Sequence, residues 1–285
     1  MASFQGCGDA TETDCLPDRQ SEKFSSTAGE IFIFRSSDRV LFNIHRVNLR
    51  AVTDGPFAED FVSPFAEIVD LTEGSDILDV LFQFVYSGDL PTLDSIDHKR
   101  LCAIAEAAEK YRVAPARVVC HIRMELIYSS HPLEVIAYAY KHGYTELLDR
   151  TAPLSKEFSA SKALNALGVG LLYIGWTTYK DAWAQIMTTG TYDIRMRLSH
   201  GTAVKCETWT SIVCEVERTL DVHRFKWLNS TFVSVLFQQA ELTAACQQRT
   251  GDQTSCEAQL REWKTAAQRQ ADAIPPLSKF ISSVQ

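Results

Sequence analysis

Residues 31–61 read IFIFRSSDRVLFNIHRVNLRAVTDGPFAEDF, and they are followed by EIVDL at 67–71 and LDVLFQFVYSGDL at 78–90. Two runs within the first stretch, 31–34 and 40–44, are rich in β-branched and aromatic residues. The Ser-Ser-Asp-Arg sequence between them consists of turn-forming side chains. This arrangement predicts a β-hairpin that leads directly into a helix.

The segments after the hairpin alternate between helix and strand patterns. Residues 45–52 have helical spacing, and Phe57 and Phe61 share one face of a following helix at i, i+4. Residues 68–71 predict a short strand. The next helix is apolar nearly all round, which indicates burial, and Gly88 is expected to end it.

The rest of the chain has helical patterns only. Two further helices are predicted at 96–110 and 114–128. Beyond them a succession of helices with short connections runs to the Pro275-Pro276 pair, including one predicted at 229–250. This pattern is typical of a small α-helical array.

The composition restricts the kind of partner. The chain has 285 residues, 46% of them hydrophobic, a net charge of −8 and a pI of about 5.4. An acidic surface repels phosphate backbones, so we expect no nucleic-acid binding. The longest apolar run, 166–176, has 11 residues, whereas a membrane span needs about 20, so we expect no membrane insertion. The polar residues 1–28 predict a disordered leader without a secretion signal, and hence a cytoplasmic and/or nuclear protein.

The sequence offers no pattern for catalysis. It has neither a Gly-x-Ser-x-Gly nucleophile motif nor a phosphate-binding Gly-x-x-x-x-Gly-Lys loop. Gly168-x-Gly170 lacks the third glycine of a dinucleotide site. We therefore predict no enzyme activity, no catalytic residue and no cofactor.

The cysteines and histidines do not predict a metal site. The best set is His98, Cys102, Cys120 and His121, but adjacent helical residues diverge by about 100°, so Cys120 and His121 suit a tetrahedral ion poorly. Without a secretion signal the eight cysteines are expected to be reduced thiols. By count alone, Cys206 could pair with Cys214 and Cys246 with Cys256.

Several of these features together resemble a BTB/POZ domain, which is a protein-interaction module. The resemblance covers residues 29–128 and implies an α+β fold, with a short three-stranded sheet flanked by helices. It implies an α-helical region over 129–285. The sequences RSSD, VDLTE and VYSGDL are similar to those of BTB proteins abundant in mushroom-forming fungi. The residues that carry the resemblance, and that it implies to be structural, are His45, Phe57, Phe61, Tyr86 and Gly88. It makes His45 a buried, hydrogen-bonded residue at the strand-to-helix corner.

The resemblance also implies a function. Many cullin-binding BTB domains carry a hydrophobic-x-Glu triplet just before the third strand, where Phe65-Ala66-Glu67 stands here. Phe65 would then anchor the chain to a cullin scaffold of a ubiquitin ligase, and Glu67 would orient the contact. Phe57-Ala58-Glu59 fits the same pattern, but we expect Phe57 to be core. The predicted function is a non-catalytic adaptor with a protein partner.

The alternative is a transcriptional or chromatin regulator that oligomerises through the BTB domain. Neither zinc-finger spacing nor a basic region supports it in the sequence. Self-association is the property that would favour it.

Overall fold

A computed structural model describes residues 17–57, 68–195, 206–222, 233, 236–238 and 256–284. The chain divides into two compact units, Met1–Ile127 and Tyr128–Gln285. The first combines a small sheet with helices, and the described residues of the second form helices. The protein is therefore α+β, as predicted, and the division lies next to the predicted boundary between residues 128 and 129.

The sheet of the first unit has four strands in the order β1-β3-β2-β4. β2 and β3 are antiparallel and form the predicted hairpin, with Phe34 opposite Phe42. β4 is parallel to β2, and β1 is parallel to β3. The strands are β1 (Arg19–Gln20), β2 (Ile31–Arg35), β3 (Val40–His45) and β4 (Ile68–Asp70).

Strand β1 lies in the segment that the sequence predicts to be a disordered leader. The Ser21 amide donates to the Leu41 carbonyl over 2.9 Å, and the Asn43 amide donates to the Phe24 carbonyl over 2.8 Å. Phe24 is buried, at 7% exposure. The polar segment has no hydrophobic periodicity of its own. Its backbone pairs with the otherwise unpaired edge of β3, and its Phe24 packs into the core. The sheet therefore has four strands instead of the three that the resemblance implies.

The helices of the first unit follow from local signals. Asp97 caps α3, because its side chain accepts from the Lys99 and Arg100 amides. The apolar helix α2 is buried as predicted, although it ends at Gln83, before Gly88. The helices are α1 (Arg46–Val52), α2 (Ser75–Gln83), α3 (His98–Lys110) and α4 (Ala114–Ile127).

The core of the first unit is a cluster of aromatic rings around Phe82. The Phe82 ring centroid lies 5.4 Å from those of Phe34 and Phe42 and 6.0 Å from that of Phe24. Phe57 extends the cluster towards Tyr111, on which it stacks at 4.3 Å. The sheet and α2 are thus held together by apolar burial, the main favourable contribution to folding.

The second unit is built from helices, one of which is longer than predicted. The pattern predicts a helix at 179–188, whereas α8 covers Leu171–Arg195. The predicted helix at 229–250 falls mostly outside the described residues. No helix in the described ranges is long and apolar enough to cross a membrane. The helices are α5 (Pro132–His142), α6 (Thr145–Thr151), α7 (Ala160–Leu167), α8 (Leu171–Arg195), α9 (Glu207–Val222), α10 (Cys256–Asp272) and α11 (Leu277–Ser282), with a 3₁₀ turn at Ala152–Ser155.

Two glycines of this unit have identifiable roles. Gly143 ends α5 in the left-handed conformation, with φ of 77°. Gly175 lies inside α8, where a Cβ would come within 2.6 Å of Ile281 Cγ1. Its missing side chain allows the short helix α11 to approach α8 closely.

Candidate interaction surface

His45 and Tyr86, two of the residues that carry the resemblance, are brought together at the end of β3. The His45 amide donates to the Tyr86 hydroxyl oxygen over 3.2 Å, and His45 Nδ1 lies 2.9 Å from the same oxygen. His45 is hydrogen-bonded, as expected, but half-buried instead of buried. Its contacts fix the corner between β3 and α1, which is a structural role.

The remaining predicted residues fall into three groups. Phe57 is core, at 1% exposure, so Phe57-Ala58-Glu59 cannot present a surface anchor. Gly88 is exposed. Phe61, Phe65 and Glu67 lie outside the described residues, and β4 begins directly after them.

Helix α4 has one buried and one exposed apolar face. Its buried face carries Ala116, Cys120 and Met124. Its exposed face carries Val118, Ile122 and Leu126, with exposures of 60%, 50% and 64%. These three are spaced at i, i+4 and i+8 and therefore line one side of the helix, here called the α4 stripe.

Two arginines of α4, next in sequence to residues of the α4 stripe, are paired within the first unit. Arg117 Nε donates to Glu109 Oε2 over 2.7 Å, and Arg123 donates to Asp94 Oδ1 over 2.6 Å. An apolar centre with a polar rim is the usual anatomy of a protein-binding patch. The sequence pattern did not show which of the two apolar faces of α4 is exposed, because both have helical spacing.

A cavity of about 510 Å³ lies between β1 and α2. Among its lining residues, Lys23 pairs with Asp79 over 2.6 Å, and Arg100 Nε lies 3.5 Å from Asp76. Because cations and anions are paired within it, the cavity has no evident preference for a charged ligand.

The second unit contains a buried lysine. Lys156 has 0% exposure, and its Nζ lies 3.5 Å from the ring centroid of Trp183 and 5.6 Å from that of Tyr179. Within the described residues Nζ has no hydrogen-bond partner. Burial lowers the pKa of Lys156 to about 6, so the amine is largely neutral at pH 7. A neutral amine can act as a base or nucleophile, but this side chain is inaccessible to a substrate.

Among His98, Cys102, Cys120 and His121, the four residues considered for a metal site, Cys120 is the least suitable ligand. Cys120 is fully buried, and burial raises the pKa of its thiol to about 12. Cys120 lies on the buried face of α4, and the adjacent His121 diverges from it by about 100° around the helix. His121 faces Glu125, with 4.0 Å between Nε2 and Oε1.

No protein-family model, curated protein or solved structure matches this chain. Among the surfaces described above, the α4 stripe is exposed and apolar.

Proposed function

We propose that this protein is a non-catalytic adaptor that binds a protein partner through a BTB-type N-terminal unit. The observation that supports this most directly is the α4 stripe, in which three large apolar side chains are half or more exposed in one line. Contiguous exposed apolar surface with a polar border is typical of interaction sites. Covering it releases about 25 cal/mol for each Å² removed from water.

The ion pairs made by α4 are compatible with the same function. Arg117 and Arg123 are already neutralised by Glu109 and Asp94. A partner that covers the stripe would therefore bury few unpaired charges, which are the costly ones. The rim would set the orientation of the partner more than its affinity.

The partner we propose to test first is a cullin scaffold, which is the partner that the BTB resemblance implies. Phe65 and Glu67 would form one contact, and the α4 stripe would form a second. The chain carries a net charge of −8, so a partner with a basic surface would associate with it faster.

The test is binding of the intact protein to a purified cullin scaffold with its RING partner, measured by titration calorimetry. Ile122→Asp and, separately, Phe65→Ala should each weaken binding by roughly 30-fold, because truncating an interface anchor costs about 2 kcal/mol or more. The matched control is Val47→Asp on α1, a valine with 72% exposure outside the stripe. It should leave the affinity unchanged.

Three results would contradict the adaptor function. One is an unchanged affinity in both Ile122→Asp and Phe65→Ala, and another is the absence of binding by the unaltered protein. The third is capture of only nuclear factors or further copies of the chain from lysate, which favours the oligomerising regulator. If Phe65→Ala unfolds the protein, Phe65 is a core residue and its docking role is lost.

A further inference from the structure

Two buried cysteines from distant parts of the second unit lie side by side. Cys206 Sγ and Cys256 Sγ are 3.6 Å apart, although 50 positions separate the residues. Cys206 is 5% exposed and Cys256 is 0% exposed. Cys206 directly precedes α9, since its carbonyl accepts from the Thr210 amide, and Cys256 is the first residue of α10.

Aromatic packing holds the two helix starts together. Trp209 lies in the first turn of α9 and Trp263 two turns into α10, and their ring centroids are 6.4 Å apart. Phe237 packs edge-on against Trp263 at 4.9 Å. Both tryptophans are nearly fully buried. The proximity of the two sulfurs is therefore built into the core.

We infer that Cys206 and Cys256 are a reversible disulfide site whose oxidant is a peroxide. A disulfide has an S–S bond of about 2.05 Å, so the sulfurs need to approach by only about 1.5 Å. The site is separate from the adaptor surfaces of the first unit and does not depend on the proposed function.

The reaction with hydrogen peroxide is balanced without any other reactant. The Cys206 sulfur, the more exposed of the two, attacks one peroxide oxygen, the O–O bond breaks, and the thiol proton leaves with the departing oxygen as water. The Cys256 sulfur then attacks the Cys206 sulfenic acid, the S–O bond breaks, and a second water leaves with the Cys256 proton. The two thiols together lose two electrons, and these electrons reduce hydrogen peroxide to two molecules of water.

The structure also separates this pair from one of the two pairings considered by count, Cys206 with Cys214; Cys246, which belongs to the other pairing, lies outside the described residues. Cys206 directly precedes α9 and Cys214 lies eight residues further on within it, which corresponds to about 12 Å of rise. Disulfides need Cα atoms within about 7 Å, so these two cysteines cannot bond without unwinding α9. Cys214 is exposed on the same helix and serves as a matched control.

The test uses the intact protein, first reduced, then treated with hydrogen peroxide, denatured and alkylated. Oxidation should remove two alkylatable thiols per chain, and a non-reducing digest should yield one peptide pair linked through Cys206 and Cys256. Dithiothreitol should restore both thiols. A linkage between any other pair, a linkage between chains, or thiols that dithiothreitol fails to restore would overturn the inference.

Variants assign the linkage independently. Cys214→Ser should form the same linked peptide in the same yield, whereas Cys206→Ser and Cys256→Ser should each abolish it. Because the digest of the unaltered protein identifies the linkage by itself, a variant that fails to fold does not remove the test. Alkylation of both Cys206 and Cys256 after peroxide treatment, while Cys214 is oxidised, would also overturn the inference.

Discussion

The two units of this protein have interiors of different character. The first is organised around Phe82 and its neighbouring rings, and its buried Thr53 donates from Oγ1 to the Tyr111 carbonyl over 2.8 Å. The second contains the fully buried Lys156 against Trp183, without a hydrogen-bond partner among the described residues. The first interior is mainly aromatic and its buried Thr53 is hydrogen-bonded, whereas the second includes a buried amine removed from water.

This difference predicts different responses to pH. Apolar burial does not depend on proton concentration, so the stability of the first core should change little near neutral pH. A buried lysine favours its neutral form, so the stability of the second unit should depend on pH. The two units can be followed separately, because all five tryptophans lie at position 176 or later, within the second unit.

The largest expected effect is in the first core. Phe82→Ala should lower the free energy of unfolding of the first unit by about 4 kcal/mol, because it leaves a cavity among four aromatic rings. Urea unfolding followed by far-UV circular dichroism should show the shift, while the tryptophan-fluorescence transition stays in place. Val118→Ala on the exposed stripe should leave both transitions unchanged. If both transitions shift together in Phe82→Ala, the units unfold as one and the comparison fails.

The second prediction concerns the buried lysine. Burial lowers the pKa of Lys156 from its ordinary 10.5 to about 6. Between these values the unfolded chain holds a proton that the folded chain lacks, so the stability of the second unit should rise with pH from about 6 towards 10. Below pH 6 both states are protonated and the full penalty is present. Lys156→Met should remove most of this dependence and stabilise the unit at pH 7 by on the order of 3 kcal/mol.

Tryptophan-detected urea unfolding at pH 6, 7, 8 and 9 tests this prediction. Tyr179 titrates outside this window, since burial raises its pKa to about 12. Burial also lowers the pKa of Lys180, which donates to the Phe158 carbonyl, so Lys180 adds to the rise in the same direction. Lys279→Met, at an exposed position of α11, should change the stability by less than about 0.5 kcal/mol. A Lys156→Met protein with an unchanged pH slope would show that another group is responsible.

The smallest expected effect concerns the corner between β3 and α1, and it tests whether the first unit can be weakened without affecting the second. Tyr86→Phe removes the hydroxyl that contacts both the amide and Nδ1 of His45. The first unit should lose about 1 kcal/mol of stability, the usual contribution of such hydrogen bonds, and the tryptophan transition should not move. Unchanged circular-dichroism melting would mean that water replaces the hydroxyl and that the contact adds no stability.

Local sequence signals were sufficient for most of the regular elements. Two runs rich in β-branched and aromatic residues, joined by a turn sequence, predicted the hairpin, which the pairing of Phe34 with Phe42 confirms. The helices predicted at 96–110 and 114–128 are confirmed as α3 and α4, with ends that agree within two residues. The short helix α11 was not predicted, because six residues after a Pro-Pro pair have too little periodicity to indicate a helix.

The candidate site was only partly predictable. The contact between His45 and Tyr86 joins residues 41 positions apart, and the resemblance named both without showing that they touch. The α4 stripe was missed, because both faces of α4 are apolar and only packing decides which one is covered. Phe65 and Glu67 lie outside the described residues, so their docking role remains a prediction.

The sequence by itself determined the α+β class, the hairpin and most helices, because these depend on residues within a few positions of one another. Tertiary structure alone decided the strand at Arg19–Gln20, the burial of Lys156 and the proximity of Cys206 to Cys256. Each of these depends on a surface supplied by a distant part of the chain. A polar leader becomes a strand only beside an unpaired edge, and a lysine or a thiol is buried only where other helices enclose it.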